Sequence, residues 1–157
     1  MVQKETLNLF QFARLYSIFL LRLENPTWFA FNQSYFQFVA TPIPQGEAKK
    51  VCLEKKGDLA STSSKEEQAF LFRTFVETNS ASGDFVWVGL NDIAEEGTFV
   101  WTDGSPNTYA KFADGQPDNY VNNEHCINIL KLENGDYGDA PCDATFTFIC
   151  ETNYESL

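Results

Sequence analysis

A long polar segment, residues 91–123, limits the folds open to this chain, because its apolar residues follow neither the helical nor the strand period. Glycine and proline interrupt it repeatedly, from Gly97 to Pro117. A stretch this long without regular structure is uncommon inside a compact domain and is usually functional or disordered. Disordered segments contain few aromatic residues, whereas this one includes Trp101 and Phe112. The sequence therefore predicts a long ordered loop region.

Strand and helix patterns precede the loop region. Residues 28–40 alternate aromatic and polar side chains, as in a β-strand, and residues 84–90 form an apolar run typical of a buried strand. Residues 47–56 have apolar side chains on one helical face, with Gly57 as the predicted C-cap. A second helix is predicted to begin at Ser64, because a glutamate follows in the arrangement of a capping box.

Beyond the loop region, residues 125–151 read as strand, Asn-Gly turn, strand, loop and strand. Helices that are segregated along the chain from antiparallel strands are typical of the α+β class. We therefore predict an α+β fold in which two helices flank small antiparallel sheets.

The length and composition of the chain indicate a single acidic domain. The chain has 157 residues, 43% of them hydrophobic, a formal net charge of −11 and a pI near 4.4. This length favours a single domain with a real core. A nucleic-acid-binding protein would have a basic face, and no run of Lys or Arg is present. We predict no nucleic-acid partner.

The four cysteines, Cys52, Cys126, Cys142 and Cys150, form no C-x-x-C pair, which disfavours a zinc ribbon or a thioredoxin-like redox site. Their even number favours two disulfides and an oxidising compartment. Spacing alone leaves three pairings open. The predicted location is extracellular.

Residues 1–24 are interpreted as an N-terminal extension. Its apolar part, residues 15–21, lies between Arg14 and Arg22 and is shorter than the ~20 residues that span a bilayer. No small-x-small cleavage site follows it. Two interpretations stay open: an amphipathic or disordered extension, and a degraded or partial targeting sequence.

Acidic and amide side chains gather at both ends of the loop region and in the hairpin after it. They are Asp92, Glu95, Glu96, Gln116, Asp118, Glu124, Asp136 and Asp139. Calcium takes six to eight oxygen ligands of this mixed type. The spacing of an EF-hand is absent. By residue type alone, solvated surface acids explain the pattern better, since Asp and Glu are mostly exposed.

An ordered set of motifs resembles the C-type lectin-like domain over about residues 28–151. The set is "EAKKVCLEKKGDLAS", "WVGL", "FVWTDGSP", "QPD", "EHC", "YGD" and "FICE". The resemblance assigns residues 25–157 to one such domain and implies the disulfides Cys52–Cys150 and Cys126–Cys142. The extra N-terminal disulfide that is common in this family is missing.

The resemblance also implies a principal calcium site. Gln116 and Asp118 flank Pro117, Glu124 stands two residues before a cysteine, and Asp139 matches the acid of the family's W-N-D motif. The bond before Pro117 is cis in the family and would aim both flanking side chains at one ion. Gly138 replaces the asparagine of W-N-D, which removes one ligand and one sugar contact. Tyr137 replaces the tryptophan, a milder change.

An auxiliary calcium site is implied by Asp92 and Glu96, with Glu124 bridging the two ions. Asn119 stands where the family has an aspartate, so this site has one negative charge fewer. His125, the only histidine, has no partner for a catalytic triad and is predicted to point away from the loop.

The order Q-P-D implies galactose-type specificity, because family members with this order favour galactose. Tyr120 stands where galactose-binding members place a stacking tryptophan, although packing on the core is the alternative. The predicted protein is a secreted calcium-dependent lectin for terminal galactose or N-acetylgalactosamine, oligomeric for avidity, and not an enzyme. The alternative is a domain of the same fold that binds protein or another surface without sugar coordination.

Overall fold

A computed structural model describes residues 28–153. The extension predicted for residues 1–24, with its apolar stretch 15–21, lies outside the described residues. Within residues 28–153, no helix is both long enough and apolar enough to cross a membrane.

The described chain contains two α-helices and a sheet of eight strands. In chain order the elements are β1 (Phe29–Phe31), β2 (Ser34–Ile43), α1 (Gln45–Glu54), β3 (Asp58–Leu59), α2 (Lys65–Leu71), β4 (Phe85–Asn91), β5 (Val100–Trp101), β6 (Cys126–Leu130), β7 (Tyr137–Ala140) and β8 (Phe146–Asn153). The main path through the sheet is β1-β2-β8-β4-β6-β7, while β3 pairs with β8 and β5 with β4. The predicted α+β fold with two helices is confirmed.

One pair in the sheet is parallel. Strands β4 and β8 pair through Val86 with Thr147 and Trp87 with Phe148, whereas the other pairs are antiparallel. Parallel neighbours need a long crossover connection. Here the loop region and the β6–β7 hairpin supply it. The sheet is therefore mixed at its centre, and the loop region begins where β4 ends.

Helix α1 ends before the residue predicted to cap it. It stops at Glu54, and Lys56 rather than Gly57 has a positive φ, of 62°. Gly57 is required for space instead, since a Cβ atom there would lie 2.1 Å from the carbonyl oxygen of Glu151 in β8. The prediction of Gly57 as the C-cap was wrong. A glycine is needed at this position because the backbone of β8, which is distant in sequence, leaves no room for a side chain.

Helix α2 begins as predicted. The Ser64 hydroxyl accepts a hydrogen bond from the backbone N–H of Glu67 at 3.2 Å. The Glu67 carboxylate accepts from the backbone N–H of Ser63 at 2.8 Å, one residue before the donor of a standard capping box. The helix continues into a π-helical turn, Phe72–Val76, whose Phe75 and Val76 are buried in the core.

Two disulfides tie the sheet to its surroundings. Cys52–Cys150 joins α1 to β8, and Cys126–Cys142 joins β6 to the segment before β8. Both match the pairing implied by the resemblance, so all four cysteines are used. Trp87 of β4 is fully buried beside them, and its indole N–H donates to the carbonyl of Ile43 at 2.9 Å.

Aromatic packing holds the loop region against the core, as the sequence predicted. Trp101 is almost fully buried, and its ring lies 6.4 Å from that of Tyr137, edge to face. Phe112 packs on the same tyrosine at 6.3 Å and on Phe99 at 5.3 Å. The hydroxyl of Tyr137 reaches Thr62 at 2.9 Å, so its polar end is satisfied inside the core.

Candidate functional site

The Gln116–Pro117 peptide bond is cis, which confirms the prediction made for this proline. The residues on either side of it contact Asp139 of β7. Gln116 Oε1 accepts a hydrogen bond from the Asp139 backbone N–H at 3.1 Å, and the backbone N–H of Asp118 donates to Asp139 Oδ1 at 3.1 Å. The loop and the hairpin strand thus meet at the Q-P-D motif.

Carboxylates also shape the turn that follows. Asn119 donates its backbone N–H to Asp139 Oδ2 at 2.7 Å, and Tyr120 donates its own to Glu124 Oε2 at 3.3 Å. The backbone N–H of Glu124 donates to Asn119 Oδ1 at 3.1 Å. Asn119 and Val121 have positive φ angles of 41° and 52°. These contacts hold a strained turn in place beside the acidic residues.

Asp118, Glu124 and Asp139 form the principal cluster. Each can direct one carboxylate oxygen to within 4.8 Å of the others. Asp139 is buried, Glu124 is half-buried and Asp118 is exposed. Burial, followed by the nearby charges of Asp139 and Asp118, raises the pKa of Glu124. Within residues 28–153, none of the three forms an ion pair with a basic side chain.

Gly138 lies in β7, directly before Asp139 of the acidic cluster. An ideal Cβ atom at this position would lie 2.9 Å from Leu130 Cδ1 and 3.0 Å from Gln116 Oε1. The Leu130 side chain and the side-chain carbonyl of Gln116 therefore both occupy the space that a side chain at this position would need. This position contributes no side-chain oxygen to the cluster.

The turn presents two apolar side chains to solvent. Tyr120 is 67% exposed and Val121 is 70% exposed. The alternative in which Tyr120 packs on the core is wrong, because the ring stands outside it. An exposed aromatic beside convergent polar groups is typical of a binding surface.

A second cluster consists of Asp92, Glu96 and His125, and here the prediction for His125 was wrong. Its Nδ1 lies 3.1 Å from Asp92 Oδ1 and 3.4 Å from Glu96 Oε2, so the ring faces the loop. The start of β6 pairs with the end of β4, through Cys126 and Asn91, which brings the histidine to the first residues of the loop region. That pairing is distant in sequence and has no local signal.

Asn119 joins the two clusters through its side chain. Its Nδ2 donates to Glu96 Oε2 at 2.6 Å, while its Oδ1 accepts from the backbone of Glu124. The amide therefore turns its nitrogen toward the second cluster. Asp136 pairs with Lys111, outside both clusters. The ligand roles given to Gln116, Asp118, Glu124, Asp139, Asp92, Glu96 and Asn119 stay predictions.

Comparison with known proteins gives concordant results. The family model of the lectin C-type domain matches residues 41–152. An alpha-N-acetylgalactosamine-specific lectin of Patiria pectinifera is 36% identical over 132 residues, which is 80% of this chain and 78% of the relative. C-type lectin domain family 4 member K of Homo sapiens is 33% identical over 86% of this chain, which spans only 40% of that larger protein.

A solved structure agrees with these relatives. The crystal structure of the C-type lectin CEL-I from Cucumaria echinata superposes with a TM-score of 0.75 at 32% identity, covering 82% of this chain and 96% of the other. The family model covers most of the described residues, and a relative above 30% identity is covered over more than two thirds of its length. The chain therefore belongs to the C-type lectin domain family.

Proposed function

We propose that this domain is a calcium-dependent lectin for terminal galactose or N-acetylgalactosamine. The observation that carries the proposal is the cluster of Asp118, Glu124 and Asp139, whose oxygens converge beside an exposed Tyr120. The order of amide and acid in Q-P-D supports galactose over mannose. The Patiria pectinifera relative is an N-acetylgalactosamine-specific lectin, which supports the same sugar class.

The donor set of the principal cluster suits calcium. Three carboxylates and the carbonyl of Gln116 are hard oxygen ligands, which is the type that calcium prefers. Burial first, and then the charges of Asp139 and Asp118, raise the pKa of Glu124, and a bound cation would offset both costs of ionising this carboxyl. When bound, calcium supplies coordination to two neighbouring hydroxyl groups of a sugar. Gly138 leaves this set one oxygen short of the family pattern.

The surrounding side chains supply the directional contacts to a sugar. A hydroxyl group can donate one hydrogen bond and accept another. Carboxylate oxygens of Asp118 and Glu124 are acceptors, and the amide nitrogen of Gln116 is a donor. The exposed ring of Tyr120 offers a flat apolar surface for the C–H face of galactose.

A second candidate is a domain that binds protein or another surface without coordinating sugar. Gly138 favours it, because the missing side chain removes both a calcium ligand and a sugar contact. Calorimetry distinguishes the two: the lectin requires heat of calcium binding, and the alternative predicts none.

The direct test is retention of the purified chain on immobilised galactose in millimolar calcium, followed by elution with EDTA. Galactose should compete better than mannose. Mannose competing better would contradict the specificity, and no retention would contradict the lectin. Calcium should also raise the free energy of unfolding, by about 2.7 kcal/mol at a hundredfold excess over its dissociation constant.

We also propose that the domain is extracellular and is presented as a homo-oligomer. Two disulfides are stable in an oxidising compartment, which supports an extracellular location. The family is one of binding domains, and we propose binding rather than catalysis. A single sugar contact is weak, so presentation as a homo-oligomer would supply avidity.

A further inference from the structure

We propose that Asn32 carries an N-linked glycan. Asn32-Gln33-Ser34 matches the acceptor sequence Asn-x-Ser/Thr, in which x is any residue except proline. It is the only match in the chain, because the similar triplet that begins at Asn25 has a proline in the middle. The inference rests on the proposed extracellular location, since this modification takes place in the secretory pathway. It does not depend on binding of sugar or calcium.

The structure places the acceptor asparagine at the tip of a β-hairpin. The alternating pattern of residues 28–40 predicted a strand, which the structure divides at residues 32–33. Asn32 and Gln33 form a two-residue turn between β1 and β2, and Phe31 pairs with Ser34 across it. Both turn residues are exposed. A bulky substituent on Asn32 therefore projects from the surface and displaces no core residue.

The order of synthesis keeps the acceptor sequence available until the domain folds. Strand β2 pairs with β8 near the C-terminal end of the described chain, and the Ser34 hydroxyl donates to Glu151 Oε1 at 2.6 Å, across 117 residues of sequence. Synthesis of these residues takes roughly 6–23 s at 5–20 residues per second. The β1–β2 hairpin alone is at best marginally stable. Ser34 is therefore free for recognition by the transferase until β8 has been made.

The sugar donor is an oligosaccharide linked to a lipid diphosphate, which the secretory pathway supplies. Asn32 Nδ2 forms a bond to the anomeric carbon of the first sugar, and the bond from that carbon to the diphosphate oxygen breaks. The lipid diphosphate leaves with the electron pair, and the amide nitrogen loses one proton. The step is a substitution in which nothing is oxidised or reduced.

A glycan at this position leaves the principal cluster open. The main path through the sheet is β1-β2-β8-β4-β6-β7, and Asp139 of the cluster lies in β7. Three strands therefore lie between β2, which begins directly after the turn, and the strand that carries the acidic residue. The glycan and the proposed sugar site are compatible in one molecule.

The competing explanation is that the fold alone requires these residues. Asn32 has a φ of 52°, in the left-handed region that asparagine adopts more readily than most residues, and Ser34 contacts Glu151. Two variants separate the explanations. Asn32→Gly keeps the turn, because glycine adopts positive φ freely, and removes the acceptor amide. Ser34→Thr keeps both the hydroxyl group and the acceptor sequence.

The test is expression of the full chain in cultured animal cells, followed by mass spectrometry of the intact secreted protein and of its peptides. We expect a mass increase that peptide N-glycosidase removes, leaving aspartate at position 32, with Asn25 unmodified. Asn32→Gly should lose the increase completely, and Ser34→Thr should keep it. A second preparation has a secretion signal added before Met1, so that the chain enters the secretory pathway in any case.

Other results would overturn the proposal. A secreted chain in which Asn32 is unmodified would contradict it, and so would a mass increase that persists in Asn32→Gly. Modification only in the preparation with the added signal would confirm the acceptor site and contradict the extracellular location. A glycosylated chain that is not retained on galactose would contradict the lectin and confirm the glycan. The peptide analysis uses the unaltered sequence, so its result holds even if a variant fails to fold.

Discussion

Leu130 fills the space that a side chain at position 138 would need: a Cβ atom on Gly138 would lie 2.9 Å from Leu130 Cδ1. The same Cβ would be 3.0 Å from Gln116 Oε1. The glycine therefore differs from the family's asparagine in packing as well as in chemistry. Both contacted atoms are ends of flexible side chains, so they can move to admit a new residue.

Gly138→Asn should strengthen calcium binding, because it returns an amide oxygen to the principal cluster. One added polar contact is worth about 1 kcal/mol, or about a fivefold lower dissociation constant for calcium. Calorimetry measures this dissociation constant directly. Leu130→Val in the same chain should increase the gain, since it removes the atom that crowds the new side chain.

Gly138→Ala is the matched control, because it adds the Cβ atom without the oxygen. Both variants should lose no more than about 1 kcal/mol of stability in calcium-free buffer, because the crowding atoms are the ends of flexible side chains that can move aside. Only the asparagine should improve calcium affinity. Equal calcium affinities in the two variants would show that the oxygen does not reach the ion.

Tyr120→Ala should weaken galactose binding without affecting the fold. The ring is 67% exposed, so its removal costs little core packing. Contacts of an aromatic face contribute about 0.5–1.5 kcal/mol, which corresponds to a roughly twofold to twelvefold loss of affinity. Val121→Ala, which truncates an equally exposed neighbour, serves as the control for sugar affinity. A sugar affinity unchanged by Tyr120→Ala would rule out stacking on this ring.

Features set by neighbouring residues could be predicted from the sequence. Ser64 caps α2 because its hydroxyl reaches a backbone N–H within one turn. The loop region is ordered because its aromatic residues need a core to pack on. The disulfide pairing and the cis bond before Pro117 came from the resemblance to the family, since spacing alone left the pairing open.

Features set by contacts across the sheet could not be predicted. The parallel pairing of β4 with β8 depends on a crossover whose path no local pattern records. The side chain of His125 was wrongly predicted to point away from the loop region. Its surroundings depend on the pairing of β6 with β4, which has no local sequence signal. The contact between Leu130 and position 138 likewise depends on packing within the folded hairpin. Each of these features determines where a part of the candidate site lies or what surrounds it.

Val121→Asn should stabilise the calcium-free protein. Val121 has φ 52° and ψ 24°, the left-handed region that a β-branched residue rarely adopts. This conformation costs an L-residue about 1–2 kcal/mol, and asparagine tolerates it better. We expect denaturant unfolding to give a gain of about 1 kcal/mol. Ile93→Asn, at another exposed site outside that region, should change stability by less than about 0.5 kcal/mol. Equal effects at the two positions would argue against strain at Val121.

Glu124→Gln should raise the melting temperature of the calcium-free protein at neutral pH and abolish its stabilisation by calcium. Burial and two nearby carboxylates raise the pKa of Glu124 in the folded state. The folded protein therefore holds this proton more tightly than the unfolded chain does. The cost of the charge is fully present above the folded pKa and disappears as the pH falls through it toward the unfolded value. Glutamine has no such charge and can still accept the hydrogen bond from the backbone of Tyr120.

The measurement compares the melting temperatures of both proteins in calcium-free buffer, from neutral to mildly acidic pH. The contributions of the other acidic residues are the same in both proteins, so the difference between the two curves isolates the effect of Glu124. The advantage of the variant should shrink as the pH falls. A difference in melting temperature that is constant with pH would show that the charge of Glu124 does not destabilise the calcium-free protein. A variant that calcium still stabilises would show that Glu124 is not a calcium ligand.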